Sequence, residues 1–455
     1  MKQRDFEVKT LGHCNIISPL KHTKQEGDKE FHFVDDEERV LFDVVVSRAQ
    51  LNNSKPFNRL HMERAGPREK IYFDPSKTTA AIVTCGGLCP GINDVIRSLV
   101  MTFYYRYRVP KVFGVQYGFQ GFIPEYRHPF VELTPEIVSN IHQFGGTILG
   151  SSRGEQDISV IVDCLERHSI NILFTIGGDG TLKGALAIHR EIEKRGLKIA
   201  VVGIPKTIDN DINHIEKSFG FETSFTIASP IIRDAHNEAR GAYNGVAIVK
   251  LMGRDSGFIA ANAALSMPEV NLVLVPEVDF DLHGKKGLFE VIRKRLENKH
   301  HCVIVVAEGA GQSLFAEADI VTDASGNVQY NDIGILLKEE IKKYLKEIKM
   351  DATVKYIDPS YIIRSTPANP SDSIFCNKLG LNGVHGGMSG KTCFVVGMRN
   401  NRFVHLPIEL VTAERKKIDI KSDIWRNVLE TTGQPASMKN ETTADMYRKS
   451  MSELK

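Results

Sequence analysis

Two short runs carry residue types suited to moving a phosphoryl group: Ile176-Gly177-Gly178-Asp179-Gly180-Thr181 and Pro205-Lys206-Thr207-Ile208-Asp209-Asn210-Asp211. Each follows an apolar strand pattern, Ile170–Thr175 and Ile199–Ile204. In open α/β sheets, ligands bind outside the carboxyl ends of the strands. In the first run, Gly178, Gly180 and Thr181 allow close approach of a phosphate, and Asp179 offers a carboxylate to a metal such as Mg²⁺. A tight turn alone needs neither the aspartate nor so many glycines. In the second run, Asp209 and Asp211 lie two apart, so they share a face of an extended segment or converge in a turn. One of them can take a proton from an attacking hydroxyl. Lys206 supplies a cation for charge building up on a phosphoryl group. The plainer reading is an Asx-type turn through Asp209 and Asn210.

Other strand-end loops extend the pattern. Cys85-Gly86-Gly87-Leu88-Cys89-Pro90-Gly91 follows the strand Ala80–Thr84, and a second loop carries Arg153 and Gly154. With Gly178–Thr181, these form a donor-phosphate side on one proposed sheet. Met252-Gly253-Arg254 and Glu308-Gly309 end later strands and suit a sugar, with Glu308 accepting its hydroxyls. Lys355, Tyr361 and Arg364 lie on one short segment and together would suit a dianionic phosphate. The Walker phosphate loop is absent, as are the glycine loop and His-Arg-Asp run of protein kinases.

These loops need a scaffold. Strand patterns at 80–84, 111–115, 170–175 and 199–204 alternate with helical ones at 92–105, 158–167 and 181–195, which predicts a parallel, doubly wound sheet. A long helical stretch, 221–240, leads into a second alternation: strands 246–251, 271–275, 302–307 and 354–357, with helices 258–265, 287–298 and 333–346. Asp358–Tyr361 reads as a turn, 371–384 as a helix and 392–396 as a strand that returns to the first domain. The expected fold class is therefore α/β, with two doubly wound Rossmann-like domains facing a cleft, and N- and C-terminal extensions. The expected division is 1–75 as an extension laid against the body or an oligomer arm, 76–220 plus 363–415 as the donor domain, and 221–362 as the sugar-phosphate domain. Residues 416–455 form a C-terminal segment whose last ~25 residues read as a polar tail.

The 455 residues carry 58 Lys and Arg against 56 Asp and Glu, with 42% hydrophobic content. Near-neutral charge gives no reason to expect nucleic acid or an anionic membrane as partner. No apolar stretch reaches the ~18 residues of a membrane span, and the N-terminus lacks an apolar signal core. Seven cysteines form neither a disulfide framework nor a zinc pattern, which fits a reduced, cytoplasmic enzyme.

Taken in order, Gly86–Asn93, Ile176–Thr181, Pro205–Asp211, Met252–Arg254 and Glu308–Gly309 resemble the signatures of the phosphofructokinase family over residues ~78 to ~415. The extra segment Lys355–Arg364 resembles its long-chain ATP-dependent branch. The resemblance implies transfer of a phosphoryl group from ATP to the 1-hydroxyl of fructose 6-phosphate, a glycolytic step giving fructose 1,6-bisphosphate, by a homodimer or homotetramer. It makes Asp209 the general base and Asp179 the Mg²⁺ ligand, with Asp211 in support. Gly87, Arg153, Gly154, Gly178, Gly180 and Thr181 would line the donor. Thr207 and Arg254 would contact the sugar phosphate and the group in flight, with Lys206 as a further catalytic cation. Ile208, Met252, Gly253 and Glu308 would bind the sugar, and Lys355, Tyr361 and Arg364 its 6-phosphate.

The chain departs from the short bacterial enzymes of that family at Leu88, where they carry an acid, at Gly245, where they carry arginine, and at Tyr361, where they carry histidine. Its pyrophosphate-using members carry Asp at the position of Gly180 and Lys at that of Lys206. Gly180 leaves room for a nucleotide, whereas a lysine suits either donor. ATP is therefore the expected donor, with pyrophosphate the alternative. NAD kinases and diacylglycerol kinases share a Gly-Gly-Asp-Gly-Thr run but do not explain Pro205–Asp211. A non-catalytic sugar-phosphate-binding subunit is the rival of another class, and the presence of both Asp179 and Asp209 argues against it.

Overall fold

The computed structural model describes residues 1–21, 32–45, 59–315, 321–322 and 328–441. The described residues fall into two compact units. One comprises the described residues up to Ser224 together with Ile362–Lys416; the other comprises those from Phe225 to Thr322, Val328–Tyr361 and Lys417–Glu441.

The first unit is built on a nine-stranded sheet. Its order is Arg39–Leu41, His61–Arg64, Arg402–Pro407, Phe394–Arg399, Ala200–Pro205, Ile172–Gly177, Thr79–Thr84, Lys111–Val115 and Phe130–Glu132. The five strands from Phe394–Arg399 to Lys111–Val115 run parallel, and antiparallel strands flank them. The central strands are buried along their whole length because helices cover both faces. Helices Ile158–Arg167 and Asp179–Lys194 pack their apolar stripes against Ala81, Val83, Leu173 and Val201. On the other face, Gly383 and Gly387 of helix Pro370–Met388 bring its backbone close to Phe174, Ile204, Ile172 and Val202.

The second unit has a four-stranded, all-parallel sheet in the order Leu272–Leu274, His301–Ala307, Gly245–Leu251, Val354–Ile357. Helices Leu288–Lys299 and Ile333–Glu347 share a core with Val246, Ile248, Ile304 and Val306. Helix Phe258–Ser266 packs by its alanines against the strands Leu272–Leu274 and His301–Ala307. Both units are thus doubly wound α/β structures.

Several expectations need correction. Residues 1–75 do more than lie against the body: strands Arg39–Leu41 and His61–Arg64 extend the main sheet, and Lys9–Thr10 pairs with Lys391–Thr392. The expected helix 92–105 is α-helical only through Met101 and continues as a π-helix over Thr102–Tyr107. The expected strand 392–396 is broken at Cys393, whose φ is 57°, into Lys391–Thr392 and Phe394–Arg399. Asp358–Tyr361 is not simply a turn: the Asp358 carboxylate accepts the Ser360 amide at 3.0 Å, and a short helix, Ser360–Ser365, starts there. Helix Asp423–Thr432 of the C-terminal segment buries Trp425 and Val428. The expected tail beyond it is not only polar surface: buried Gln434 exchanges hydrogen bonds with the Val273 backbone. The end of the expected tail, residues 442–455, lies outside the described residues.

Candidate active site

The two acidic runs leave neighbouring parallel strands at the same level. Pro205 is in register with Gly177, and the Lys206 amide donates to the Gly177 carbonyl at 2.9 Å. Strand register therefore sets the Gly177–Thr181 and Lys206–Asp211 loops side by side. Asp179 is the first residue of helix Asp179–Lys194, at the end where unpaired amides favour negative charge. Lys183, one turn on, donates to its carboxylate at 2.9 Å. A Cβ added at Gly180 would meet nothing within 4 Å, so this position faces open space.

The Lys206–Asp211 loop is buried throughout. The Thr207 hydroxyl accepts the Asp209 amide at 3.1 Å, and the Thr207 carbonyl accepts the Ser218 hydroxyl at 2.6 Å. Asn210 takes a left-handed conformation, donates to the Glu216 carbonyl at 3.1 Å and accepts the Ser218 amide. The turn is tied by the Thr207 hydroxyl to the Asp209 amide and by the Asn210 side chain to Glu216 and Ser218, rather than by an Asx bond from Asn210 two residues on. Asn210 ties the turn, and the tied turn fixes the carboxylates on either side of it. Ile208 is buried and packs against Gly220, anchoring the same loop.

The first glycine loop crosses toward Lys206. The Lys206 ammonium donates to the Gly87 carbonyl at 2.6 Å. Burial pushes it below the ordinary lysine range, against the pull of Cys89, Cys85 and Asp209. Gly86 has a φ of +83°, a conformation that a residue with a Cβ rarely adopts. Its carbonyl accepts the Ser151 hydroxyl at 2.6 Å and its amide donates to Ser152, which locks this loop to the one carrying Arg153 and Gly154. A Cβ at Gly87 would stand 3.4 Å from an Arg153 guanidinium nitrogen and 4.0 Å from the Arg364 guanidinium carbon. Two arginines therefore flank the loop. Thr181 is buried against Gly177, where any side chain would overlap it.

One group here carries no motif signal. Arg415 Nε lies 4.0 Å from Asp179 Oδ2 and 4.0 Å from Asp211 Oδ2. It sits in the charged run Glu414-Arg415-Lys416-Lys417, which reads as a solvated surface. Only a tertiary pairing, antiparallel between Ile212 and Arg415, brings it in.

The second unit gathers its own constellation. Strands Gly245–Leu251 and His301–Ala307 end in register, and the Glu308 amide donates to the Leu251 carbonyl at 2.8 Å. The Glu308 carboxylate accepts the Arg254 amide at 3.0 Å. At Gly309 any Cβ would overlap the Arg254 carbonyl oxygen, so glycine lets the two loops close on each other. Met252 is buried and Gly253 has a φ of +142°. Lys355 is paired with Glu238, and Tyr361 is 84% exposed. These two belong to the second unit, whereas Arg364 belongs to the first. A side chain at Gly245 would overlap the Ala239 carbonyl, so this backbone has no room for arginine there.

Among the described residues, no three His, Cys, Asp or Glu side chains group as a metal cage. Mg²⁺ does not require one: it is commonly held by one or two carboxylates together with substrate phosphates and water. Asp179 and Asp211, held against one guanidinium with side chains 16% and 10% exposed, are hard oxygen donors of that kind. All seven cysteines are free thiols, six of them buried. Among the described residues, no helix is long and apolar enough to cross a membrane.

The chain is similar to known proteins in both sequence and fold. Residues 79–386 match the Phosphofructokinase family. The chain is 50% identical to the ATP-dependent 6-phosphofructokinase of Borreliella burgdorferi over 96% of its own length and 98% of that protein. It is 46% identical to that of Amycolatopsis methanolica over 95% of each. The solved pyrophosphate-dependent phosphofructokinase of Marinobacter aquaeolei superposes with a TM-score of 0.65 at 20% identity, over 80% of this chain and 92% of that one. Phosphofructokinase from Saccharomyces cerevisiae gives 0.59 at 21% identity, over 82% of this chain and 49% of that one. At such low identity these structures speak for the fold alone. The chain belongs to the phosphofructokinase family.

Proposed function

We propose that this protein is an ATP-dependent 6-phosphofructokinase, which transfers the γ-phosphoryl group of ATP to the 1-hydroxyl of fructose 6-phosphate. The supporting observation is the side-by-side placement of the Asp179 and Asp209 loops by strand register, with open space at Gly180. The relatives named above, at 46–50% identity over nearly the whole chain, use the donor that this reading assigns.

In this reading Asp209 takes the proton as the sugar oxygen attacks the γ-phosphorus, and the bond to the β-phosphate oxygen breaks. Asp179, supported by Asp211, would hold Mg²⁺, which when bound neutralises donor phosphate charge. The Lys206 ammonium, fixed by the Gly87 carbonyl, faces the charge that builds up on the group in flight. Gly87, Arg153, Gly154, Gly178 and Thr181 line the donor phosphates. Thr207, Ile208, Met252, Gly253, Arg254 and Glu308 serve the sugar, and Lys355, Tyr361 and Arg364 its 6-phosphate. Most of the acceleration comes from positioning and charge stabilisation. We also assign the protein to the cytoplasm as a homodimer or homotetramer, in line with its free thiols and its family. The domain reading follows: donor chemistry in the first unit, most sugar contacts in the second.

Lys206 favours a second reading, pyrophosphate as donor. Initial rates with fructose 6-phosphate and either ATP or pyrophosphate, measured side by side, separate the two. A rate with ATP at least about tenfold above that with pyrophosphate is expected. Faster use of pyrophosphate would reverse the assignment.

A further inference from the structure

Arg415 stands between two carboxylates that belong to different loops, and the backbone holds it there from both sides. Ile212 and Arg415 form an antiparallel bridge, and the Lys416 amide donates to the Asp211 carbonyl at 2.8 Å. The Lys416 ammonium donates to the Ile215 and Glu216 carbonyls at 2.9 and 3.0 Å. On the other flank, the Glu414 carboxylate accepts from the Asn213 amide group at 3.0 Å. The residues before and after Arg415 are therefore both pinned to the segment that follows Asp211. Its Nε is 4.0 Å from one oxygen of Asp179 and 4.0 Å from one oxygen of Asp211. Lys183 also reaches Asp179, but it is 58% exposed, against 27% for Arg415.

Two largely buried carboxylates that face one guanidinium repel one another, and the cation shared between them offsets that repulsion. The same cation opposes a bare divalent ion in the same place. We propose that Arg415 is a charge-balancing positioning residue. It holds the Asp179–Asp211 pair together and keeps bare divalent ions from the pair until the donor's phosphates bring compensating negative charge. The protein would then take up metal with its nucleotide rather than before it. This rests on the reading of Asp179 as the metal carboxylate.

The test is Mn²⁺ binding to the full-length protein without nucleotide, read from the electron paramagnetic resonance signal of free Mn²⁺. Wild type and Arg415→Lys, which keeps the charge, are expected to bind weakly. Arg415→Gln is expected to bind at least about tenfold more tightly. Adding Asp179→Asn to Arg415→Gln should abolish the gain. A loop that was merely disturbed would bind less ion, not more. Equal Mn²⁺ affinity in wild type and Arg415→Gln overturns the proposal. If Asp179→Asn alone nevertheless abolishes metal-dependent turnover, the reading of Asp179 stands without it. A gain that persists in the double variant overturns both, because the ion then lies elsewhere.

Discussion

Two lysines mark the carboxyl ends of the central strands, one in each unit, and their surroundings are opposite. Lys206 follows strand Ala200–Pro205, is 5% exposed, and gives its ammonium to the Gly87 carbonyl. Burial dominates there and depresses its charge. Lys250 is the penultimate residue of strand Gly245–Leu251 and reaches the Asp332 and Asp358 carboxylates at 2.6 and 2.9 Å. Burial works against its charge too, but the two carboxylates overcome it and hold the ammonium above the usual lysine range. Tyr356 closes that network with bonds of 2.9 Å to both Asp332 oxygens. A cation satisfied by two carboxylates ties the strand Val354–Ile357 and the start of helix Ile333–Glu347 to the sheet. In the proposed function, a cation set against a carbonyl keeps its field for an incoming anion. Lysines near the carboxyl ends of strands in the two sheets would then serve structure in one unit and chemistry in the other.

The contrast can be broken by substitution. Asp179→Asn, in the first unit, should lower metal-dependent turnover about a thousandfold, measured as kcat with saturating fructose 6-phosphate. Lys206→Met should lower kcat about a hundredfold or more while leaving the melting temperature near that of wild type. If Lys206 works as a cation, its activity requires the proton. It is charged below its depressed pKa and loses that charge as pH rises through it. The alkaline limb of log kcat should therefore fall below the ordinary lysine range near 10.4 and vanish in Lys206→Met. A limb unchanged in the variant would make Lys206 a bystander. Gly180→Asp should raise the KM for ATP about tenfold or more by placing a carboxylate in the open space there, while the KM for fructose 6-phosphate stays within about twofold. Lys250→Met should do the reverse of Lys206→Met. It should leave kcat within about threefold but cost about 2 kcal/mol in chemical denaturation, a figure reduced because Asp332 and Asp358 are about a third exposed. Stability loss from Lys206→Met and turnover loss from Lys250→Met would invert the comparison.

How much of this was legible in the sequence follows from the range of the forces involved. Strand Lys111–Val115 and helices Ile158–Arg167 and Phe221–Arg240 match their expected bounds because local periodicity sets them, helped in Ile158–Arg167 by the Asp157 cap. The glycine runs marked the strand-end loops because backbone such as that of Gly86, with its φ of +83°, demands glycine. What stayed hidden depends on partners far along the chain. Arg415 lies more than 200 residues from both Asp179 and Asp211 and enters through one backbone bridge. Arg364 joins the Gly87 loop, whereas Lys355, nine residues earlier, pairs with Glu238. The edge strand Arg39–Leu41 and its neighbour His61–Arg64 are short and charged, a pattern that reads as loop until a sheet edge is available to pair with it. Gln434, in the stretch that reads as a polar tail, is buried through bonds to the Val273 backbone, 161 residues away.

The most direct measurement is a single-turnover experiment with Asp209→Asn, ATP and fructose 6-phosphate, paired with calorimetric titration of fructose 6-phosphate. If Asp209 draws the proton from the attacking hydroxyl, phosphoryl transfer should slow by about a thousandfold or more while sugar-phosphate affinity stays within about threefold. Transfer at a rate near that of wild type, with affinity intact, would contradict the account.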